Sequence, residues 1–324
     1  MGTRRSTAAL ILAVSGVSYL IGGGAQLSMA LLTDSEDHPS TFTTAASFGD
    51  ATAPTVASSV VSKTTPYVPG HIRQGGTYYI YANVTDAGSG VATVTADVST
   101  VTTGQTAVAM VAGSYTIGGV SYTYRSSSVN ADATLAEGAK AYSITATDGA
   151  ANTVTQGGFS VTVDNTRPTG TNVQTTNAGT VGRAEAGDAV IFTFSEPMEP
   201  ESIVAGWTGA PTNVVVRVTQ NLLGDQLTIR NAANTAVLPL GTINLGGTNY
   251  VTVTRDFGAS GTASTVVQTG ATITVTLGTP SGAVGTELIA SAMVWTPSAT
   301  ATDPAGNTCQ TTVAAEALPL DVDF

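Results

Sequence analysis

The sequence predicts an all-β protein, two tandem β-sandwich domains following an N-terminal signal helix. Three observations predict this. Thr, Val, Ala, Gly and Ser dominate the composition, which suits short strands joined by tight turns. From residue 52 onward, runs with period-2 alternation recur between Gly, Asn and Asp clusters, and no stretch holds a helical period. The chain opens with Arg4 and Arg5, then 28 uncharged residues from Ser6 to Thr33.

That opening has the layout of a secretory signal, a basic n-region before the apolar run AALILAVSGVSYLIGGG. Ser28-Met29-Ala30 places small residues three and one before a cut, so residues 1–30 are assigned as signal peptide, with cleavage between Ala30 and Leu31 by a signal peptidase. The uncharged run is also long enough to span a bilayer, so an uncleaved anchor is the rival reading. Gly22-Gly23-Gly24 and the polar Gln26 and Ser28 weaken a membrane helix and favour cleavage. Either way the rest of the chain is expected outside the cell, secreted or at the cell surface. Membrane contact is then expected only through an uncleaved N-terminus.

Residues 31–51 form a linker or tail. Its start, Ala30-Leu31-Leu32-Thr33-Asp34-Ser35-Glu36 followed by Thr41-Phe42-Thr43 and Ala45, resembles SipW-dependent signal sequences of camelysin-like and biofilm-fibre proteins of Gram-positive bacteria. Leucines stand at 31 and 32 where that family has aromatics, and Ala46 where it often has Gly. The resemblance covers residues 1–48 and implies an export route. It also implies that Leu31–Phe48 could add as a strand to a neighbouring copy, against the simpler reading of a tail.

The first domain spans residues 52–165. After the DATAP step into a first strand, strands are predicted at 77–84, 91–98, 106–111, 121–124, 141–147 and 159–163. The VDNTRPTG step leads into the second domain, residues 166–324. There strands are predicted at 189–194, 213–219, 226–230, 250–255, 271–277 and 288–295. Pro200–Ala205 is predicted as a helical turn with Pro200 near its start. Trp207 and Trp295 are expected in the core. A nine-residue repeat, TATDGAANT at 145–153 and TATDPAGNT at 300–308, is expected to form the hairpin turn before the last strand of each domain.

Tyr81–Val91 (YANVTDAGSGV), the D-x-A-A-N turn and Val163–Pro168 (VDNTRP) resemble bacterial Ig-like domains. Val190–Met198 (VIFTFSEPM) with the Asp303–Asn307 turn is similar to Ig-like domains of S-layer and surface proteins. The resemblance implies two tandem Ig-like domains in a surface-displayed, non-catalytic protein of matrix, surface layer or adhesion. It further implies self-association or contact with other surface proteins or glycans. Arrays of this kind hold calcium at such turns, which nominates Asp86, Asp148, Asn152 and Asp164, carboxylates and an amide that suit an ion wanting six to eight oxygens. Ordinary turn formation by the same residues is the alternative. Asp303 and Asn307, with no domain after them, are expected to lack a site.

Charged residues are only 10% of the chain, and the net charge of −11 becomes −13 once Arg4 and Arg5 are removed. Such a chain repels nucleic acid and anionic membrane. Its 42% hydrophobic content supports a folded core. Cys309 stands alone, so no internal disulfide forms, and packing as a small hydrophobe is favoured over a bridge to another chain. His38 and His71 are the only histidines. With no G-x-S-x-G elbow, HExxH helix or zinc-spaced cluster, no catalytic residues are expected. Glu196, Glu199 and Glu201 near Trp207 keep open a distant carbohydrate-active reading. A glycan-binding adhesin is the nearer alternative, to be favoured by a ladder of aromatics on one sheet face.

Overall fold

The computed structural model describes residues 49–64, 66–318 and 322–324. The Ala30–Leu31 cleavage site, the signal helix, His38 and the Leu31–Phe48 segment lie outside the described residues. Gly49–Phe324 form one compact unit whose regular secondary structure is nearly all strand. No helix among the described residues is long and apolar enough to cross a membrane.

Residues 55–163 build a first sheet. Its strands are β1 (Thr55–Ser62), β2 (His71–Ile72), β3 (Thr77–Thr85), β4 (Val91–Asp97) and β5 (Val108–Ile117). Then come β6 (Val120–Ser126), β7 (Val129–Asn130), β8 (Gly138–Asp148) and β9 (Thr153–Val163). They lie in the order β1-β3-β6-β5-β4-β8-β9-β2, with β7 on β3. The period-2 rule is plain in β3, where Tyr78, Ile80 and Ala82 point into the core while Tyr79 and Tyr81 point out. β1 packs beside β9, so the sheet folds back around Val61, Ile80, Val94, Ile144 and Val161.

The second sheet comprises β10 (Gly170–Thr176), β11 (Ala189–Phe194), β12 (Thr212–Thr219), β13 (Gln226–Asn231) and β14 (Val237–Asn244). β15 (Arg255–Phe257), β16 (Ser264–Thr269), β17 (Thr272–Thr276), β18 (Val294–Thr296) and β19 (Ala314–Ala315) complete it. The order is β10-β11-β17-β16-β12-β13-β14-β18-β19, with β15 on β12, and β10 packs beside β19 to close the fold. Both tryptophans are core. Trp295 stacks edge-on against Phe192 and Phe194, with centroids 5.1 and 5.0 Å away, and its indole N–H donates to Leu240 O. Cys309 is fully buried in the same core, as a small hydrophobe would be. Burial pushes its thiol up to about 11.

The helical turn appears as α1 (Pro200–Ile203). Two predicted strands in this half fall short. Residues 250–254 are loop because Val251 N–H donates to the buried Asp225 instead of a neighbouring strand. Of 288–295 only the last two residues pair, since Leu288 and Ile289 are solvent-exposed and Ala290-Ser291-Ala292 has no apolar alternation. β10, β14 and β16 were not predicted, because Pro239, Gly241 and polar runs such as TNVQTT hide their period.

The sheets meet at a polar joint. The Lys63 ammonium lies 3.8 Å from the buried Glu199 carboxylate and donates to Asp303 O at 3.0 Å. Glu199 also accepts Tyr67 N–H at 2.8 Å and Val68 N–H at 3.5 Å. The Arg167 guanidinium donates to Thr308 O and Cys309 O. Burial pushes Lys63 down and Glu199 up, each opposed by the other's charge.

Candidate metal centres

Two clusters of three carboxylates stand at corresponding places in the two sheets. Each draws on the chain entering its sheet, the end of an early strand, and the last long hairpin turn. In the first, Asp50, Asp86 and Asp148 each offer an oxygen within 4.8 Å of the others. In the second, Asp164, Glu196 and Asp303 do the same.

The entry residue sits in a repeat, D-x-T-x-P, at Asp50–Pro54 and again at Asp164–Pro168. The aspartate accepts the N–H of the threonine two residues on, at 3.0 Å for Asp50 and 2.9 Å for Asp164. This local Asx turn aims the carboxylate back along the chain. The hairpin residue sits in D-x-A-x-N. Asp148 Oδ1 accepts the N–H groups of Ala150 and Asn152, and Asp303 Oδ1 those of Gly306 and Asn307. The turn's asparagine then links two corners of the cluster. Asn152 Nδ2 donates to Asp148 Oδ2 and Asp50 O, both at 2.8 Å, and Asn307 Nδ2 to Asp303 Oδ2 at 2.7 Å and Asp164 O at 2.9 Å.

The third corner follows a strand: Asp86 after β3, Glu196 after β11. Asp86 Oδ2 accepts Gly88 and Gly90 N–H at 3.1 and 2.7 Å, but its Oδ1 is closed off from solvent with no hydrogen-bond partner. Glu196 Oε1 is shielded and unpartnered in the same way. A buried carboxylate oxygen without a donor is costly and calls for a compensating proton or cation. Each cluster therefore has one such oxygen at the same corner.

Their electrostatics differ. Hydrogen bonds from the backbone N–H groups of Ser89 and Thr52 hold Asp50 below the usual carboxylate range. Glu196 is pushed up to about 7, first by burial and then by the charges of Asp164 and Asp303. Asp303 is raised too, mainly by burial, against the donors of Asn307 and Gly306.

Of the residues nominated from the sequence, Asp86, Asp148 and Asn152 come together. Asp164 does not join them but stands in the second cluster with Asp303. Asp303 and Asn307, expected to lack a site for want of a following domain, stand in a carboxylate cluster of the same construction, because each cluster takes its entry aspartate from the chain preceding its own sheet. Sequence reasoning also missed Asp50 and Glu196 as members. The D-x-T-x-P repeat was the available signal for Asp50.

Glu199 is engaged with Lys63, and Glu201 lines a 400 Å³ cleft at the joint with Lys63, Ser202 and Thr302. The Trp207 indole is buried and donates to Ala210 O. Ser195 Oγ accepts Thr169 N–H. His71 pairs with Thr162 in β2.

The outer face of the first sheet carries tyrosines. Tyr81 lies at ring-centroid distances of 6.3, 6.3 and 5.8 Å from Tyr79, Tyr115 and Tyr122. The Arg125 guanidinium sits 5.0 Å over Tyr79 and 4.5 Å over Tyr115. Tyr81 and Tyr122 are buried and Tyr79 and Tyr115 half-buried.

No protein-family model matches the chain, and no curated protein matches it.

Proposed function

We propose that this chain is an exported, surface-displayed structural or adhesive protein of two Ig-like sandwiches, stiffened by calcium at the two carboxylate clusters. One observation carries the reading: both clusters have the same three-corner construction, and each leaves one buried carboxylate oxygen without a partner. An ion at Asp164, Glu196 and Asp303 would tie the connector between the sheets to β11 and to the last turn of the second sheet. One at Asp50, Asp86 and Asp148 would fix the chain entering the first sheet in the same way. Calcium suits an all-oxygen donor set, and exported modules meet it at concentrations matching weak sites, about 10⁻⁴ to 10⁻³ M. Asn152 and Asn307 brace the carboxylates through their amide nitrogens.

Calorimetry of the protein with Ca²⁺, alongside Asp148→Ala and Asp303→Ala, tests the ion. Two binding events are expected, each variant losing one. Absence of binding heat together with an unchanged melting temperature would leave these residues as turn formers. Export is tested by fractionating the producing culture and sequencing the product's N-terminus, expected at Leu31. An intact, membrane-embedded segment at residues 6–33 would support the anchor.

The tyrosine face favours a second reading, a glycan-binding adhesin. Arg125, lying over the half-buried Tyr79 and Tyr115 rings, offers guanidinium donors beside aromatic edges to sugar hydroxyls. Glycan-array binding that is lost in Tyr79→Ala/Tyr115→Ala would support it.

A further inference from the structure

The outer face of the first sheet holds an arginine without a counter-charge. Arg125, half-buried, stands in β6 with Tyr81 of β3 and Val111 of β5 as its cross-strand partners. Among the described residues it forms no ion pair, whereas Lys63, Arg183 and Arg217 each meet a carboxylate. Its surroundings are equally free of acid. Burial pushes the Tyr81 phenol up and the Arg125 charge opposes that rise, with no carboxylate among the groups that shift it most.

The place of the guanidinium is built by a bulge. The β5–β6 register shifts between Ala112 and Tyr115, which leaves Gly113 and Ser114 without partners on β6. There the Tyr115 ring lies back over Gly113, where a Cβ would stand 2.6–2.9 Å from its hydroxyl oxygen and ring carbons. Its hydroxyl donates to Val111 O at 3.4 Å. Arg125 Cζ then sits 4.5 Å over Tyr115 and 5.0 Å over Tyr79. Two rings restrict the swing of the side chain, so less freedom is lost when a ligand is met. A ring face answers the charge but supplies no oxygen acceptor to the fork of N–H donors.

We propose that Arg125 pairs with the carboxylate of one acidic sugar residue at the end of an otherwise neutral glycan. This rests on the glycan-binding reading of the tyrosine face and names its ligand class. A planar carboxylate takes two parallel N–H bonds from a guanidinium, which fixes its orientation as well as its charge. With a single negative charge it meets less repulsion from a chain of net charge −11 than a phosphate ester, which carries about −1.5 to −2. A polymer charged at every residue is repelled more strongly still. Distant carboxylates are screened over about 8 Å at physiological salt, so Arg125 governs one charge brought against it.

The test titrates the full chain by calorimetry and ligand-observed NMR. Sialyllactose and methyl glucuronide are the carboxylated probes, lactose and methyl glucoside their neutral counterparts, and acetate the bare carboxylate. At least one carboxylated sugar should bind about tenfold or more tightly than its neutral counterpart and than acetate, and which one does so separates a sialic from a uronic terminus. Arg125→Gln should abolish that preference, and Arg125→Lys should restore little of it, because the charge returns without the fork. Gly113→Ala, which displaces the Tyr115 ring, should weaken the acidic probe by a smaller factor. Acidic and neutral sugars binding alike, or a preference that survives Arg125→Gln, would overturn the proposal. Binding that is then lost only in Tyr79→Ala/Tyr115→Ala would leave the glycan-binding reading standing. Acetate matching the acidic sugars would also overturn it, since the face would then hold any carboxylate. Absence of binding to every sugar would overturn it together with the reading on which it rests.

Discussion

The two carboxylate clusters share a plan and differ in surroundings. The first lies at the entry to the first sheet, where the backbone N–H groups of Ser89 and Thr52 lower the pKa of Asp50. The second lies beside the joint, where burial and two neighbouring carboxylates push Glu196 up to about 7. Identical turn chemistry has therefore yielded a relaxed cluster in one place and a charge-crowded one in the other. The crowding comes from burial together with Asp164, Asp303 and Glu137, while Lys63, which donates to Asp303 O, brings a cation to the same turn.

Removing the joint's cation should separate the two regions most strongly. In Lys63→Met, Glu199 keeps the N–H groups of Tyr67 and Val68 but loses its counter-charge in a buried site. The expected cost is about 3 kcal/mol, read as a lower urea midpoint. Lys140→Met, in the half-buried β8 position of the only other lysine, should stay within about 0.5 kcal/mol. Combining Lys63→Met with Glu199→Gln should restore part of the loss, because no unpaired charge remains. Equal midpoints for Lys63→Met and Lys140→Met would mean that the joint bears no load.

The bracing asparagines sharpen the comparison at smaller scale. Asn307 is buried and Asn152 half-buried, yet each donates to the same two acceptors. Replacement by alanine leaves a carboxylate oxygen and an entry carbonyl without that donor. Asn307→Ala should cost about 2 kcal/mol and Asn152→Ala about 1, since water can replace the donor more readily at the exposed end. Thermal melts of both variants in calcium-free buffer give the difference. Asn152→Ala as the more damaging change would reverse the burial argument.

Much of the fold was legible because strand period is a local property. β11 was predicted to the residue, and β3, β4, β12 and β13 to within one residue at either end. The losses came where tertiary contacts override the pattern: Val251 is captured by Asp225, and Leu288 and Ile289 look like strand residues but are exposed tips. The cluster residues were half legible. The D-x-A-x-N repeat drew attention to Asp148 and Asp303, but which aspartates meet is decided by strand direction and pairing, which local sequence does not encode. Asp164 was therefore grouped with the wrong partners, and Asp50 was passed over although its D-x-T-x-P frame repeats that of Asp164. The joint was invisible, since Lys63 and Glu199 are 136 positions apart.

The smallest effect concerns pH, and it tests the crowding directly. In chelator-treated protein, Glu196 has a folded-state pKa of about 7 against an ordinary 4.5. Between those values the folded chain holds a proton that the unfolded chain has released. Stability therefore falls as pH rises through this window, the reverse of a salt-bridged carboxylate. The charges that raise Glu196 are those of Asp164, Asp303 and Glu137, all acidic, so ionising it as pH rises adds repulsion. Glu196→Gln should lift the melting temperature at pH 8 by about 2–4 °C, leave it unchanged at pH 4.5, and flatten the profile between. Saturating Ca²⁺ should flatten the wild-type profile in the same way, because the ion supplies the counter-charge that the proton otherwise provides. Asp50→Asn should act with the opposite sign. Asp50 is held low, so its contribution is present above the unfolded-state pKa and lost as pH falls, and removing it should lower the melting temperature slightly at neutral pH. Parallel profiles for wild type and Glu196→Gln would show that the second cluster is no more crowded than the first.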